Sequence, residues 1–185
     1  MGFWDLFKRS HRVKMNRGIT MDEDSKQERD APATVLKRDA PGAVLTCWDL
    51  AERFSGLREV RGAVDNPSIM AMLTLDQSWP KHDEVPWCSA FVNYVAHLMR
   101  AKRSRSLMAR SWLNVGEVVK LDEAVPRAND VVILWRGSRD ASTGHVGFYG
   151  GVKDGRVIIL GGNQSDAVNV QSYPLGQVLG VRRIL

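Results

Sequence analysis

Three side chains of this chain have the types and order that acyl transfer through a thiol requires: Cys88, His145 and Asn163. A thiolate attacks an acyl carbon, an imidazole takes and returns the proton, and an amide holds the imidazole in one tautomer. Cys88 stands in VPWCSAFVNYV, residues 85–95, at the start of a segment whose apolar residues Phe91, Val92, Val95, Leu98 and Met99 recur at helical spacing. Pro86 suits the opening of a helix, and Asp83 and Glu84 place acidic character before its first turn. Three, four and seven residues separate Cys88 from Phe91, Val92 and Val95, so its sulfur is expected on the core face, near unpaired N–H groups that favour a thiolate. A small apolar cysteine filling a core helix is the competing expectation.

Of the four histidines, His11 is in the N-terminal region, His82 precedes a turn, and His97 falls on the polar face of the Cys88 helix. His145 follows Gly144 and opens the strand-like run HVGFY, where it can project into a cleft. The sequence VKDGRV fits a three-residue hairpin loop, Lys153–Asp154–Gly155, with Val152 facing Arg156. Counted outward, that register sets Asn163 opposite His145. A two-residue Asp154–Gly155 loop sets Gln164 there instead, and the glycine pairs 150–151 and 161–162 are places where a bulge can shift the count.

These residues must be positioned by helices in the first half and strands in the second. Val44–Phe54, Pro67–Leu73 (opening after Asn66), Cys88 to about Arg100, and Leu107–Val115 read as helices. Asp130–Arg136, His145–Tyr149, Arg156–Leu160, Val168–Ser172 and Val178–Arg182 are short apolar runs between Gly, Asn and Asp, which predicts antiparallel strands. The expected class is therefore α+β, with N-terminal helices packed on a C-terminal antiparallel sheet.

The chain has 185 residues, 44% hydrophobic and 25% charged, a composition that suits one soluble domain with a tail. Residues 1–17 join Phe3, Trp4, Leu6 and Phe7 to Lys8, Arg9, Arg12, Lys14 and Arg17, the pattern of an interfacial anchor for an anionic membrane or lipopolysaccharide. Residues 18–42 read as a polar linker, and 43–185 as the domain. Net charge +5 fits an anionic partner. The basic residues gather in a tail and one loop with no recognised nucleic-acid motif, so no specific nucleic acid is expected. Two cysteines make no disulfide framework and no zinc spacing, and Cys47 in LTCWDL reads as a core residue. No N-terminal apolar run is long enough for a secretory signal; the expectation is synthesis in a host cytoplasm and action at the wall or periplasm after the membrane is permeabilised.

The blocks DEVPWCSAFVNYV, ARSWLNVG, NDVVILWRGS, GHVGFYGG and LGGNQSDAVNVQSYP together resemble the NlpC-type and CHAP-type cysteine hydrolases, in particular a compact subgroup common in phages and bacteria. The resemblance covers about Ala43 to Leu185. It implies a papain-like fold, no metal or other cofactor, a monomer, and cleavage of an amide bond in peptidoglycan peptides. Endopeptidase action is favoured over N-acetylmuramoyl-L-alanine amidase action, in an endolysin-like role. It also implies that Cys88 is the nucleophile, His145 the base and Asn163 the orienting residue. Many CHAP members carry an acidic residue two positions before that Asn; here Gly161 stands there. Trp87 and Ser89 flank the nucleophile as pocket or oxyanion candidates, and Trp112, Trp135 and Gln164 are further substrate-contact candidates, with core packing an equal expectation for the two tryptophans. The reading from another class is a virion binding or structural module that keeps the fold and uses the basic tail.

Overall fold

The computed structural model describes residues 44–60, 62 and 64–185. The proposed anchor (1–17), the linker (18–42) and the boundary at Ala43 lie outside the described residues. Three short α-helices come first: α1 (Cys47–Glu52), α2 (Pro67–Leu73) and α3 (Cys88–Leu98). A 3-10 turn, Ala109–Asn114, then leads to six strands: β1 (Glu117–Val119), β2 (Asp130–Trp135), β3 (Gly144–Lys153), β4 (Arg156–Gly161), β5 (Asn169–Pro174) and β6 (Val178–Arg183). The strands make one sheet in the order β1-β6-β2-β3-β4-β5, every neighbouring pair antiparallel. This is the α+β arrangement the sequence predicts.

Local chemistry sets the helix bounds. Helix α1 starts three residues later than predicted because Thr46 caps it: its Oγ1 accepts from the Asp49 N–H while Asp49 accepts from the Thr46 N–H. Helix α2 matches its predicted span, with the Asn66 side chain accepting from the Ser68 N–H and Pro67 in the first turn. Helix α3 turns Phe91, Val92, Val95 and Ala96 into the core, but Leu98 is exposed, contrary to the predicted face. The predicted helix over Leu107–Val115 is a 3-10 turn instead, closed by i to i+3 bonds such as Ser111 N–H to Met108 O and Val115 N–H to Trp112 O. Strand β1 escaped prediction, being only three residues long at the edge of the sheet.

The sheet has two apolar faces. One packs against the helices, with Val131, Ile133, Val146, Phe148 and Leu160 meeting Trp48, Phe91, Val95 and Trp112. The other gathers Val132, Leu134, Tyr149, Val157, Ile159 and Val181. Strand β3 therefore sits between both clusters, and α3 packs across it. The first residues of the two elements, Cys88 and Gly144, line the same cleft.

The β3–β4 hairpin corrects the predicted loop. Lys153 pairs with Arg156, so the loop has two residues, Asp154 (φ 51°) and Gly155 (φ 70°), both in the left-handed region that such a turn demands. A bulge between Tyr149 and Gly151 then shifts the ladder by one residue, and Phe148 faces Leu160. The shorter loop and the bulge cancel, so the inner register equals the one counted from a three-residue loop without a bulge.

Candidate active site

Cys88 is the first residue of α3, and no side chain caps that helix. The first intrahelical bond runs from Phe91 N–H to Trp87 O (2.9 Å), so the N–H groups of Cys88, Ser89 and Ala90 precede the helical ladder. The Cys88 side chain is 5% exposed and shares a core cluster with Phe91, Val92 and Val95, as the spacing predicts. Its sulfur lies within reach of the backbone N–H of Val146, the residue that follows His145. Burial pushes the thiol above its ordinary range; the Val146 N–H, the Arg136 charge and the N–H groups of Ser89 and Cys88 offset only part of that. The resting group is thus a thiol, where the sequence predicts a thiolate favoured by the helix end. Asp83, expected to add acidic character there, is buried instead as an acceptor for the Asn66 N–H (2.8 Å).

His145 is fully buried at the start of β3, opposite Leu134 of β2. Gly144 lets β2 approach the strand mouth closely: a Cβ there would come within 2.7 Å of the Leu134 carbonyl oxygen. The imidazole Nε2 lies 3.0 Å from Gln164 Oε1, whereas Nδ1 is buried with no hydrogen-bond partner among the described residues. Burial, followed by the charge of Arg136, lowers the His145 pKa to about 4, against the opposing bond to Gln164. At neutral pH the ring is therefore neutral.

Gln164 fixes the tautomer of that ring. Its Nε2 donates to the main-chain oxygen and to Oδ1 of Asn169, while Asn169 Nδ2 donates back to the Gln164 carbonyl (2.7 Å). The amide is thereby locked with its oxygen toward His145, so Nε2 of the histidine must carry the hydrogen and donate it. The lone pair is left on Nδ1. Tyr173 backs the arrangement: its hydroxyl lies 2.9 Å from Gln164 Oε1, and its ring centroid is 5.4 Å from that of His145.

The predicted orienting residue was Asn163, and the structure gives that contact to Gln164. Strand β4 ends at Gly161, and Asn163 adopts φ 54°, so the alternation of side chains breaks before it reaches His145. The Asn163 amide makes no hydrogen bond with the described residues. Gly161 explains how Gln164 fits: a Cβ at 161 would lie 3.2 Å from the Gln164 amide and 3.3 Å from His145 Nε2. The space a side chain at 161 would use is taken by Gln164.

The other candidates separate on burial. Trp87 is fully buried against Gly162 and donates Nε1–H to Glu59 (2.6 Å), so it supports the site from behind. Ser89 is buried, donating to Ser106 O and accepting from Trp112 Nε1, which leaves its hydroxyl no free role at an oxyanion. Trp112 is equally buried and belongs to the core. Trp135 is half-buried, with its indole tied to Gly176 O (3.0 Å), and does not line the cleft at Cys88. Cys47 is a core residue whose thiol burial raises to about 11.

That cleft, of about 350 Å³, opens over Cys88 between Pro86, Leu107, Met108 and Ala109 on one side and Arg136, Ser142, Thr143 and Gly144 on the other. A cavity of similar size along β4 and β5 is lined by Lys153, Asp154, Arg156 and polar or aliphatic neighbours, with no nucleophile or base pair. Met108 and Arg136 were not among the sequence candidates for the site; the fold brings them to this cleft, and Tyr173, equally unpredicted, to His145. Among the described residues no cluster of His, Cys, Asp and Glu could hold a metal ion.

Residues 80–163 match the CHAP domain family. The match spans just under half of the chain, includes Cys88 and His145, and stops one residue short of Gln164. The match agrees with the CHAP-type resemblance of the sequence blocks that hold Cys88 and His145. The chain is also similar in structure to NlpC1 (19% identity, TM-score 0.45) and NlpC2 (20%, 0.47), both from Trichomonas vaginalis, with 74% of this chain covered in each case. It spans 42% and 45% of those chains, less than half of their length. No curated protein matches the sequence.

Proposed function

We propose that the protein hydrolyses an amide bond in peptidoglycan peptides, with Cys88 as nucleophile and His145 as general base and acid. The observation that carries this reading is the buried Nδ1 of His145, without a partner among the described residues, in a strand whose next residue, Val146, directs its N–H at the Cys88 sulfur. With Gln164 holding the other nitrogen as N–H, Nδ1 accepts the Cys88 proton as sulfur attacks the acyl carbon. The N–H groups at the start of α3, which no side chain caps, stabilise the oxyanion, and the imidazolium then protonates the leaving amine. Water, deprotonated by the same nitrogen, hydrolyses the thioester. Gln164 takes the orienting role, and the imidazolium exists only between proton transfers.

Within that activity, cleavage inside the peptide stem or cross-link is favoured over cleavage of the amide joining stem to sugar, and an endolysin-like role at the wall follows. The sequence of residues 1–17 supports contact with an anionic membrane or lipopolysaccharide during that role. The test is digestion of purified peptidoglycan by wild type and by Cys88→Ala, with mass spectrometry of the products. New amino termini within the peptides are expected from wild type alone. Clearance by Cys88→Ala at a comparable rate would remove the cysteine mechanism, and release of intact stems from the sugar would favour the amidase.

A further inference from the structure

The cleft over Cys88 is lined by a cation, Arg136, that has no anionic partner among the described residues. Arg136 follows the last residue of β2, and its backbone is held firmly: its carbonyl accepts from Thr143 Oγ1 (2.8 Å) and from the Ser138 N–H (3.0 Å). The loop that follows is clamped by Arg110, whose guanidinium donates to the carbonyls of Thr143 (3.0 Å), Ser138 (3.3 Å) and Arg139 (2.9 Å). Arg110 is therefore occupied as a structural brace. Arg136 is not: its side chain is exposed, lines the cleft, and forms no ion pair among the described residues.

Its guanidinium lies beside the Tyr173 hydroxyl, and its charge is felt at Cys88, His145 and Tyr173 alike. A free guanidinium on a braced loop, within the field of both reacting groups, matches the geometry of a carboxylate receptor, because its planar fork donates to two carboxylate oxygens at once. A carboxylate docked there also neutralises the charge that disfavours the imidazolium at His145, so binding and proton transfer reinforce each other. We infer that Arg136 binds a free carboxylate of the peptide substrate, so that the cleft selects peptides carrying that carboxylate near the scissile amide. This rests on the hydrolase reading above.

The test uses binding and hydrolysis separately. Soluble peptidoglycan peptides are prepared with their carboxylates free or amidated, and their Kd for Cys88→Ala protein is measured by calorimetry. The free form is expected to bind about tenfold more tightly, the range of one charge-assisted hydrogen-bonding pair. In Cys88→Ala/Arg136→Gln that ratio should fall to about one, and Arg136→Lys in the same background should restore part of it. Raising the salt should shrink the preference. Equal binding of both peptides, or a preference that survives Arg136→Gln, overturns the assignment. Hydrolysis by the wild type judges the underlying reading: amine release from both peptides at equal kcat/KM sinks the Arg136 assignment alone. No release from either sinks the hydrolase reading, and the binding ratio still decides the role of Arg136.

Discussion

Gln164→Ala tests the tautomer argument most directly, with Asn163→Gly as its control. In the native site the His145 N–H is buried and finds its acceptor in Gln164 Oε1 at 3.0 Å. Removing the amide strands that donor and deprives the Asn169 carbonyl and side chain of theirs. Each buried polar group left without a partner costs about 1–3 kcal/mol, so a stability loss of about 3 kcal/mol is expected. The catalytic effect is separate. Without the amide the ring proton can sit on Nδ1, where it blocks acceptance of the Cys88 proton. A bias of about 1.5–3 kcal/mol toward the productive tautomer corresponds to a loss of about 10- to 100-fold in kcat/KM.

Asn163→Gly removes the other amide while keeping the left-handed backbone, φ 54°, that Asn163 adopts. Its kcat/KM should stay within about threefold of wild type, the range of a side chain that does not touch the base. The assay is the initial rate of amine release from purified peptidoglycan, at a temperature where circular dichroism shows all three proteins folded. An Asn163→Gly protein as impaired as Gln164→Ala would refute the assignment and return the orienting role to Asn163.

The remaining predictions concern reactivity, pH and the N-terminal segment. Iodoacetamide should alkylate Cys88 and abolish activity while sparing Cys47, which is completely buried with a thiol near 11; peptide mapping reads this directly. Because the His145 pKa falls from 6.5 unfolded to about 4 folded, the unfolded chain binds more protons between those values, and stability is lost as pH drops through that window. The loss attributable to this ring is about 3 kcal/mol once pH is below 4; urea melts of wild type and His145→Phe at pH 7.5 and 4.5 should differ in their pH dependence by most of that amount. Identical pH dependence in the two proteins would contradict a buried neutral ring. The acidic limb of kcat/KM should likewise sit near pH 4. Deleting residues 1–30 should spare hydrolysis of purified wall yet weaken binding to anionic vesicles at low salt, since each basic residue near such a surface contributes about 1 kcal/mol; equal vesicle binding by the two forms would remove the anchor.

How much of this was legible in the sequence depended on whether the deciding contact was local. Asn66–Pro67 announces α2, and the periodicity behind Pro86 announces α3, because caps and apolar faces act within a few residues. The β3–β4 register came out right for the wrong reason: a two-residue turn and a bulge at Gly150–Gly151 shift the count in opposite directions. Counting along strands then fails at Asn163, whose positive φ ends the alternation on which the count depends. The choice between core and groove for the tryptophans stayed open for a related cause. Trp112 and Ser89 satisfy each other across the core at 2.9 Å, and Trp87 finds Glu59, pairings between distant segments that residue type cannot announce.

The absent side chain at Gly161 ties these threads together. The sequence already showed a departure from the family pattern at that position, without showing what replaces the missing acid. A carboxylate at His145 would have been a charged partner and would have raised the ring's pKa; the neutral amide of Gln164 gives orientation with little charge. That exchange accounts for the direction in which both reacting groups move, with His145 held neutral and Cys88 held as a thiol by burial that no anion or imidazolium offsets at rest. In the proposed hydrolysis the ion pair is therefore created during the reaction. The groups available to favour that step are the N–H donors at the start of α3 and, on the inference above, a substrate carboxylate at Arg136.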